Sequence, residues 1–352
     1  MASKNCIGLD IGASSIKVIH LKEDRKGVHL RAFDVATLPE ETVVDGVLMN
    51  FGVVTDQIRQ LVKTNKLKTK DVAFSISGNS VIIKKITLPE MTTQELEESI
   101  QWEAEQYIPF DINDVNVDVQ VLNPQAGQGQ MEVLLVAAKK DVIQDYMSAV
   151  KEAGLKPLVA DVDTFTIQNA FELNYGYPPN ETICLINVGS AVTNINVIGD
   201  GITTFTRDIS LGGGILTSEI QRHLNVSFEE AEHYKTLGQG NITNSSIAKE
   251  VERLSQKVSQ TMVTEIQRSL DFFAATTVNS DISKVYLSGG AAMTPGLIRT
   301  VERLLEVPVE LVNPFKNIMI DAKKFDVDLL QRVAPMATVA VGLGLRKKGE
   351  KR

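Results

Sequence analysis

Two stretches of this chain follow one plan, and a duplicated plan restricts the folds open to it. The first is Ile7-Gly8-Leu9-Asp10-Ile11-Gly12-Ala13-Ser14-Ser15-Ile16-Lys17-Val18. The second is Cys184-Leu185-Ile186-Asn187-Val188-Gly189-Ser190-Ala191-Val192-Thr193-Asn194-Ile195. Each is an apolar run that ends in Asp or Asn, then one apolar residue, a glycine, small polar residues and a second apolar run. That order is the pattern of a strand, a tight turn and a returning strand. Aligning the two places Asp10 on Asn187 and Gly12 on Gly189. A chain that builds this hairpin twice can clamp a phosphate tail between two related halves.

Bulk properties set the class. With 352 residues the chain is long enough for two domains with substantial cores. Its 43% hydrophobic and 23% charged residues are the balance of a soluble globular protein. A net charge of −8 argues against a wide nucleic-acid surface. No apolar run reaches the ~18 residues of a membrane span. Met1-Ala2-Ser3-Lys4-Asn5 leads directly into a strand pattern, which leaves no room for a signal peptide. Cys6 and Cys184 open the two matched hairpins, and unpaired thiols in a reducing cytoplasm are expected. His20, His29, His223 and His233 have no metal-ligand spacing, so no zinc is expected.

Alternation predicts a β-meander over residues 5–35, with turns at Asp10-Ile11-Gly12 and Asp24-Arg25-Lys26-Gly27. A helix follows near 53–64, with Val54, Ile58, Leu61 and Val62 on one face, and then a strand over 72–76. Residues 79–155 read as a small α+β unit. It holds strands over 81–87, 115–122 and 131–138, a loop over 123–130 and helices over 92–107 and 141–153. Thr92 and Glu95 have capping-box spacing at the first of these helices. On that helix Leu96, Ile100, Ala104 and Tyr107 form a core face, and Trp102, the only tryptophan, falls off it. Packing against the first domain is the preferred role for Trp102, and lining a partner groove the alternative.

The second half opens with its own meander over 182–188, 194–197 and 203–209. Gly212-Gly213-Gly214 leads into a helix over 216–224, and 228–278 is helical apart from Gly238-Gln239-Gly240. A strand over 284–288 ends on Gly289-Gly290; a helix over 295–305, a strand over 309–311 and a small apolar helix over 334–345 complete the chain. The basic tail 346–352 is expected to fray. The repeated meander followed by helices predicts α/β architecture in two related halves. The first domain covers 1–180 with the insert at about 79–155. The second covers 181–332 with a helical part at about 216–280. Residues 333–352 return to the first domain.

Four elements carry candidate chemistry. Gly12 and Gly189 let a phosphate approach main-chain N–H groups, and Ala13, Ala191 and Ser190 keep those turns small. Ser14 and Ser15 add hydroxyl donors, Lys17 an ammonium within reach of a phosphate, and Asp10 a carboxylate able to hold Mg²⁺ through water. Ordinary hairpin turns would share this pattern; two at related positions favour the phosphate reading. The third element, Leu287-Ser288-Gly289-Gly290-Ala291-Ala292-Met293-Thr294-Pro295-Gly296, ends a strand on two glycines and opens a helix near Pro295. Small residues there, with Met293 close by, let a flat ring and ribose lie on the backbone. A helix-entry turn is the plain alternative. In the fourth, Glu232 and Lys235 share a helix face and can bind ribose hydroxyls and an adenine edge, although a surface ion pair is the commoner use of that spacing.

Together these elements resemble the actin-like ATPase superfamily. Residues 10–17 are similar to its first phosphate loop, 187–193 to its second, 288–296 to its adenosine motif, and 334–344 to its second connecting helix. Asp161-Val162-Asp163-Thr164-Phe165 is similar to the start of its first connecting helix. The motifs keep the superfamily's order across nearly the whole chain. Gly212-Gly213-Gly214-Ile215-Leu216-Thr217, Ala231-Glu232-His233-Tyr234-Lys235 and the insert resemble the FtsA and PilM families. Leu88-Pro89-Glu90-Met91 and Gln101-Trp102-Glu103-Ala104-Glu105-Gln106-Tyr107-Ile108-Pro109-Phe110 resemble PilM in particular.

This resemblance implies duplicated RNase H-like domains around a cleft, with ATP and Mg²⁺ between them. It implies Gly213, Gly214, Gly289, Gly290 and Ala291 as further nucleotide contacts, and Asp10 and Asn187 as metal positions acting through water. Asp163 or Asp161 would orient the attacking water, unless they cap the following helix. Two departures stand out. Asn187 occupies a position where the superfamily commonly has Asp, and Ile215 one where these two families often have Asp; hydrolysis is expected to suffer more than binding. The resemblance implies a cytoplasmic protein of the type IV pilus inner-membrane platform that binds the N-terminal cytoplasmic peptide of PilN in a groove beside the insert. Trp102 is the candidate contact, and the membrane is reached only through that partner. Other platform proteins and pilus motor ATPases are implied as further partners. A small-metabolite kinase, an FtsA-like polymer and a heat-shock-70-type chaperone are the rivals on this fold.

Overall fold

The computed structural model describes residues 5–237, 242–277 and 280–349; the breaker Gly238-Gln239-Gly240 lies outside them. The first meander is β1 (Ile7–Ile11), β2 (Ser15–Asp24) and β3 (Gly27–Thr37). A short hairpin, β4 (Val43–Val44) and β5 (Val47–Leu48), leads to α1 (Phe51–Thr64), and β6 (Asp71–Ile76) then pairs parallel to β1. The insert follows as β7 (Val81–Pro89), α2 (Thr93–Glu105), β8 (Val115–Gly127) and β9 (Gln130–Lys139), with strands in the order β7-β9-β8. The chain re-enters the first half through α3 (Lys140–Glu152), β10 (Lys156–Val162) and α4 (Asp163–Tyr175).

The second half repeats the scheme. β11 (Thr182–Val188), β12 (Thr193–Gly199) and β13 (Ile202–Ile209) form its meander. α5 (Gly214–Leu224), α6 (Phe228–Leu237) and α7 (Ser245–Thr276) lead to β14 (Ile282–Ser288), which pairs parallel to β11 as β6 does to β1. After α8 (Leu297–Leu305) and β15 (Val309–Leu311), the chain returns to the first sheet as β16 (Ile318–Met319) and ends in α9 (Val327–Val333) and α10 (Thr338–Gly344). The sheets run β10-β6-β1-β2-β3-β16 and β13-β12-β11-β14-β15.

Both central strands bury two faces, so they read as unbroken apolar runs. In β1, Ile7, Leu9 and Ile11 pack toward α1 and α3. In β11, Cys184, Ile186 and Val188 pack toward α5, α7 and α8, while Ile183 and Leu185 turn to a cluster containing Phe171 of α4 and Leu343 of α10. That cluster also takes in Cys6 and Ala73, so it joins the inner faces of both sheets. Backbone meets backbone here. A Cβ on Gly342 would stand 1.8 Å from the Thr166 carbonyl oxygen, and one on Gly8 would stand 2.5 Å from the Ala340 oxygen.

Several sequence expectations change. The helix over 141–153 belongs to the first core and not to the insert, because its face of Val142, Tyr146, Ala149 and Val150 packs with Phe74 and Ile58. The loop over 123–130 closes instead as a tight turn, with Gln128 and Gly129 both at positive φ (55° and 73°), the geometry of a two-residue hairpin turn. The single helix over 334–345 is a 3-10 turn over Ala334–Ala337 followed by α10; Pro335 lies in that turn, and its carbonyl accepts from Gly289 N at 2.8 Å. The tail holds its place through Lys348. Cys6 N donates to the Arg346 carbonyl at 2.8 Å, Arg346 Nε pairs with Asp161 Oδ2 at 2.6 Å, and Lys347 pairs with Glu23 at 2.6 Å. Trp102 is 77% exposed, which overturns the packing role preferred for it. The capping box at Thr92 and Glu95 is present as expected.

The Gly342 contact yields a test. Gly342→Ala should lower unfolding free energy by about 3 kcal/mol through forced separation of α10 from α4. A urea midpoint equal to wild type would mean that the crossing tolerates a methyl group.

Candidate functional site

The two matched hairpins close on themselves in the same way. Gly12 N donates to the Ser15 carbonyl at 3.1 Å, and Gly189 N to the Val192 carbonyl at 2.9 Å. Both turns face one cavity. Asp10, Gly12, Ala13, Ser14 and Lys17 line it from the first half, and Asn187, Gly189, Ser190 and Ala191 from the second. Gly289 and Gly290 close its end, and Asp163 stands at its wall. A chamber of ≈ 480 Å³ adjoins it, sharing Ser14, Lys17, Gly189, Ser190 and Gly290. Ser15, Gly213, Glu232, Lys235, Ala291 and Met293 line this chamber. A narrow polar throat beside a roomier chamber suits a phosphate tail and a nucleoside.

Lys17 Nζ lies 3.1 Å from Asp10 Oδ2, with both side chains mostly buried. In the chamber Lys235 Nζ donates to Thr217 Oγ1 at 2.8 Å, and Glu232 accepts from both Lys235 and Thr217. The Glu232–Lys235 pair is therefore cross-braced to α5 and faces the chamber, beyond an ordinary surface ion pair. Asp163 is the perturbed group. Ser75 Oγ donates to its Oδ1 at 2.5 Å. Burial and the Asp10 charge raise its carboxyl to about 7, against the opposing pull of hydrogen bonds from Ser75 and Ser77. The same burial, with Asp163 and Asp10 nearby, pushes the Tyr146 hydroxyl up.

Three of the expected site residues lie elsewhere. Asp161 has a fully buried side chain tied to Arg346 and is absent from the cleft lining. Its separation from Asp163 follows from a change of element: β10 ends at Val162 and α4 begins at Asp163, so a two-residue spacing no longer keeps both on one face. Gly214 sits behind the second loop, where its N–H donates to the Ser190 carbonyl at 2.8 Å. Trp102 projects from α2 on the far side of the insert sheet. Sequence reasoning missed Ser75, Ser77, Tyr146, Arg332 and Met336, all of which line the two cavities. Ser75 interrupts an apolar strand at its C-terminal end, the one signal that could have found it.

Among the described residues no group of three or more His, Cys, Asp or Glu side chains is arranged to hold a metal ion. One carboxylate, Asp10, and one carboxamide, Asn187, nonetheless suit a hydrated Mg²⁺, which keeps most of its waters and takes its remaining ligands from phosphate.

Two related meanders, crossing helices between their sheets and a cleft between the halves define the actin-like ATPase fold. A solved structure described as the PilM-PilN type IV pilus biogenesis complex matches with a TM-score of 0.86 at 28% identity, over 97% of this chain and 98% of that one. EutJ, an ethanolamine utilization protein from Carboxydothermus hydrogenoformans, matches at 0.59 and 16% identity, covering 98% and 90% of the two chains. MreB5 of Spiroplasma citri bound to ADP matches at 0.51 and 12%, covering 96% and 94%. The family model described as type IV pilus assembly protein PilM matches residues 8–348, and the chain belongs to that family. It is also similar to the cell division protein FtsA of Neisseria meningitidis serogroup B, 22% identical over 87% of this chain and 83% of that protein. FtsA of Bacillus subtilis is 23% identical over 88% and 78%.

The raised Asp163 carboxyl makes stability depend on pH. An unfolded Asp releases its proton near 3.8, whereas the folded protein holds this one up to about 7. Folded stability therefore falls as pH rises between those values and stays lowered above them. Without nucleotide or metal, Asp163→Asn should gain on wild type by a few kcal/mol between about pH 4 and pH 8. Urea midpoints that run parallel across this range would refute the assignment.

Proposed function

We propose that this chain is a nucleotide-binding scaffold of the type IV pilus inner-membrane platform. In this reading it binds ATP with Mg²⁺ in the cleft and the N-terminal cytoplasmic peptide of PilN beside the insert. The observation that carries the reading is the pair of matched turns facing one throat, with Lys17 and Asp10 on one side and Asn187 on the other. Main-chain N–H groups and Lys17 bind the phosphates, and Glu232, Lys235 and the Gly290-Ala291 backbone receive the nucleoside. Mg²⁺, when bound, supplies charge neutralisation at the phosphates. Asp163 is the carboxylate placed to orient a water or take its proton, since a base poised near neutrality suits that task. Asn187 brings no second negative charge, and turnover is expected to be slow or absent.

Support for the partner comes from a groove between the edge strands β8 and β10. Val136, Ala138, Ile143, Val162 and Phe165 give it an apolar floor, and Asn116 and Asp118 of β8 stand on the same face as Ala138 and Val136. Two facing edges with such a floor suit an extended peptide, which adds main-chain hydrogen bonds and seats alternate side chains. Trp102 does not line this groove. α2 packs with Val133, Leu135 and Ala137, the face of β9 opposite Val136 and Ala138. No described helix is long and apolar enough to cross a membrane, and attachment to the inner membrane through PilN is part of the proposal.

Lys17→Ala should weaken ATP binding at least about tenfold, as loss of a charge-assisted contact to phosphate would. Calorimetry with ATP and Mg²⁺ checks this, and unchanged affinity would remove ATP from the cleft. Val136→Asp should abolish capture of the PilN N-terminal peptide while leaving ATP binding intact. Equal capture by a variant that melts normally would move the peptide off this groove.

A further inference from the structure

One row of polar side chains crosses the second sheet from the cleft to the insert. Ser288, Asn187, Asn194 and Asp208 are direct cross-strand partners on β14, β11, β12 and β13. Ser288 Oγ donates to Asn187 Oδ1 at 3.2 Å, Asn187 Nδ2 to Asn194 Oδ1 at 3.0 Å, and Asn194 Nδ2 to Asp208 Oδ1 at 2.8 Å. Asp208 Oδ2 in turn accepts from the backbone N–H of Gly78, at 2.7 Å, in the first half where β7 begins. Ser288, Asn187 and Asn194 are buried.

The direction of this row is set from its far end. Burial raises the Asp208 carboxyl, and the N–H groups of Asn194 and Gly78 oppose that by favouring the ionised form, which only accepts. Asn194 then turns its amide nitrogen to Asp208 and its oxygen to Asn187. Asn187 must donate to that oxygen, which leaves its own Oδ1 for Ser288 and the cleft it lines. With Asp208 ionised, only this assignment of the two amides satisfies every member of the row. An oxygen facing the throat is what a hydrated cation beside phosphate requires.

We propose that Asp208 is the positioning residue of the cleft: through Asn194 it holds the Asn187 oxygen toward the phosphate throat, and through Gly78 it ties that orientation to the seating of the two halves. This rests on the reading of the cleft as a site for nucleotide and Mg²⁺. It also gives Asn187 a reason to be an amide. A carboxylate at 187 with Asp208 still in place would set its charge against the Asn194 oxygen, whereas the amide relays the orientation dictated by Asp208.

The test exchanges the ends of the row. Asp208→Asn lets the row run in reverse, with the new amide donating to Asn194, Asn194 donating to Asn187 and Asn187 turning its nitrogen toward Ser288 and the throat. Asn187→Asp places two carboxylates around one amide. The double exchange Asn187→Asp with Asp208→Asn satisfies every donor and acceptor with the row reversed, and returns a carbonyl oxygen to Gly78. ADP affinity is measured by calorimetry with and without Mg²⁺. Asp208→Asn should lose about tenfold of the Mg²⁺-dependent gain, the usual size for a group that orients a metal contact, with metal-free affinity unchanged. The double exchange should restore that gain. Without nucleotide, Asn187→Asp should lower Tm by roughly 2–4 °C, and the double exchange should melt near wild type. A full Mg²⁺-dependent gain in Asp208→Asn, or a double variant that melts no higher than Asn187→Asp, overturns the proposal. If wild type binds no ADP, the nucleotide reading fails, and the melting series alone decides whether the row is a relay.

Discussion

The close crossing of α4 and α10 is the constraint on which the rest of the molecule depends. Neither helix has strong amphipathic character; each is buried on nearly all sides between two sheets. With no side chain at Gly342, the α10 backbone rests on the Thr166 carbonyl, and Gly8 lets the first strand come as near to the other side of α10. The apolar cluster around Phe171, Leu343 and Tyr286 then joins both sheets into one interior. Because the matched turns sit at the ends of β1 and β11, their separation across the throat is governed by how closely these helices cross.

Within the throat the two turns share a shape and differ in charge. The first holds a buried ion pair, Asp10 with Lys17. The second holds an amide oriented by hydrogen bonds on both sides. Asp163 lies between them with its charge disfavoured by burial and by Asp10. Negative charge in the throat is thus kept low, which suits the polyanion of the proposed function. In that reading the electrostatics of phosphate binding come from the first half and its geometry from the second.

Much of this was legible in the sequence because it is local. The hairpins, the glycines that shape them and the capping box at Thr92 each declare themselves within a few residues. What was hidden depends on neighbours distant in sequence. The face of α3 is apolar in either allegiance, and only the tertiary packing shows that it covers the first sheet. Asp161 and Asp163 look equivalent until the junction of β10 and α4 falls between them. Trp102 lies off its helix's core face, and nothing local says whether another element covers it. Ser75 and Asp208 act through partners at sequence distances of 88 and 130 residues, beyond any motif.

The stitching of the two ends of the chain bears on how the protein is made. Asn5 donates to the Gly344 carbonyl across 339 positions, Cys6 joins Arg346, and β16 fills the edge of the sheet that β1 began. Contacts of that span cost loop-closure entropy before they return any stability, and they form late. During synthesis one face of the first sheet can be covered by α1 and α3 early, whereas the face that receives Ala340 and Gly344 must wait until α10 has left the ribosome. The second half, whose sheet is built from consecutive residues 182–311, has no such delay and can serve as the template on which the first half closes.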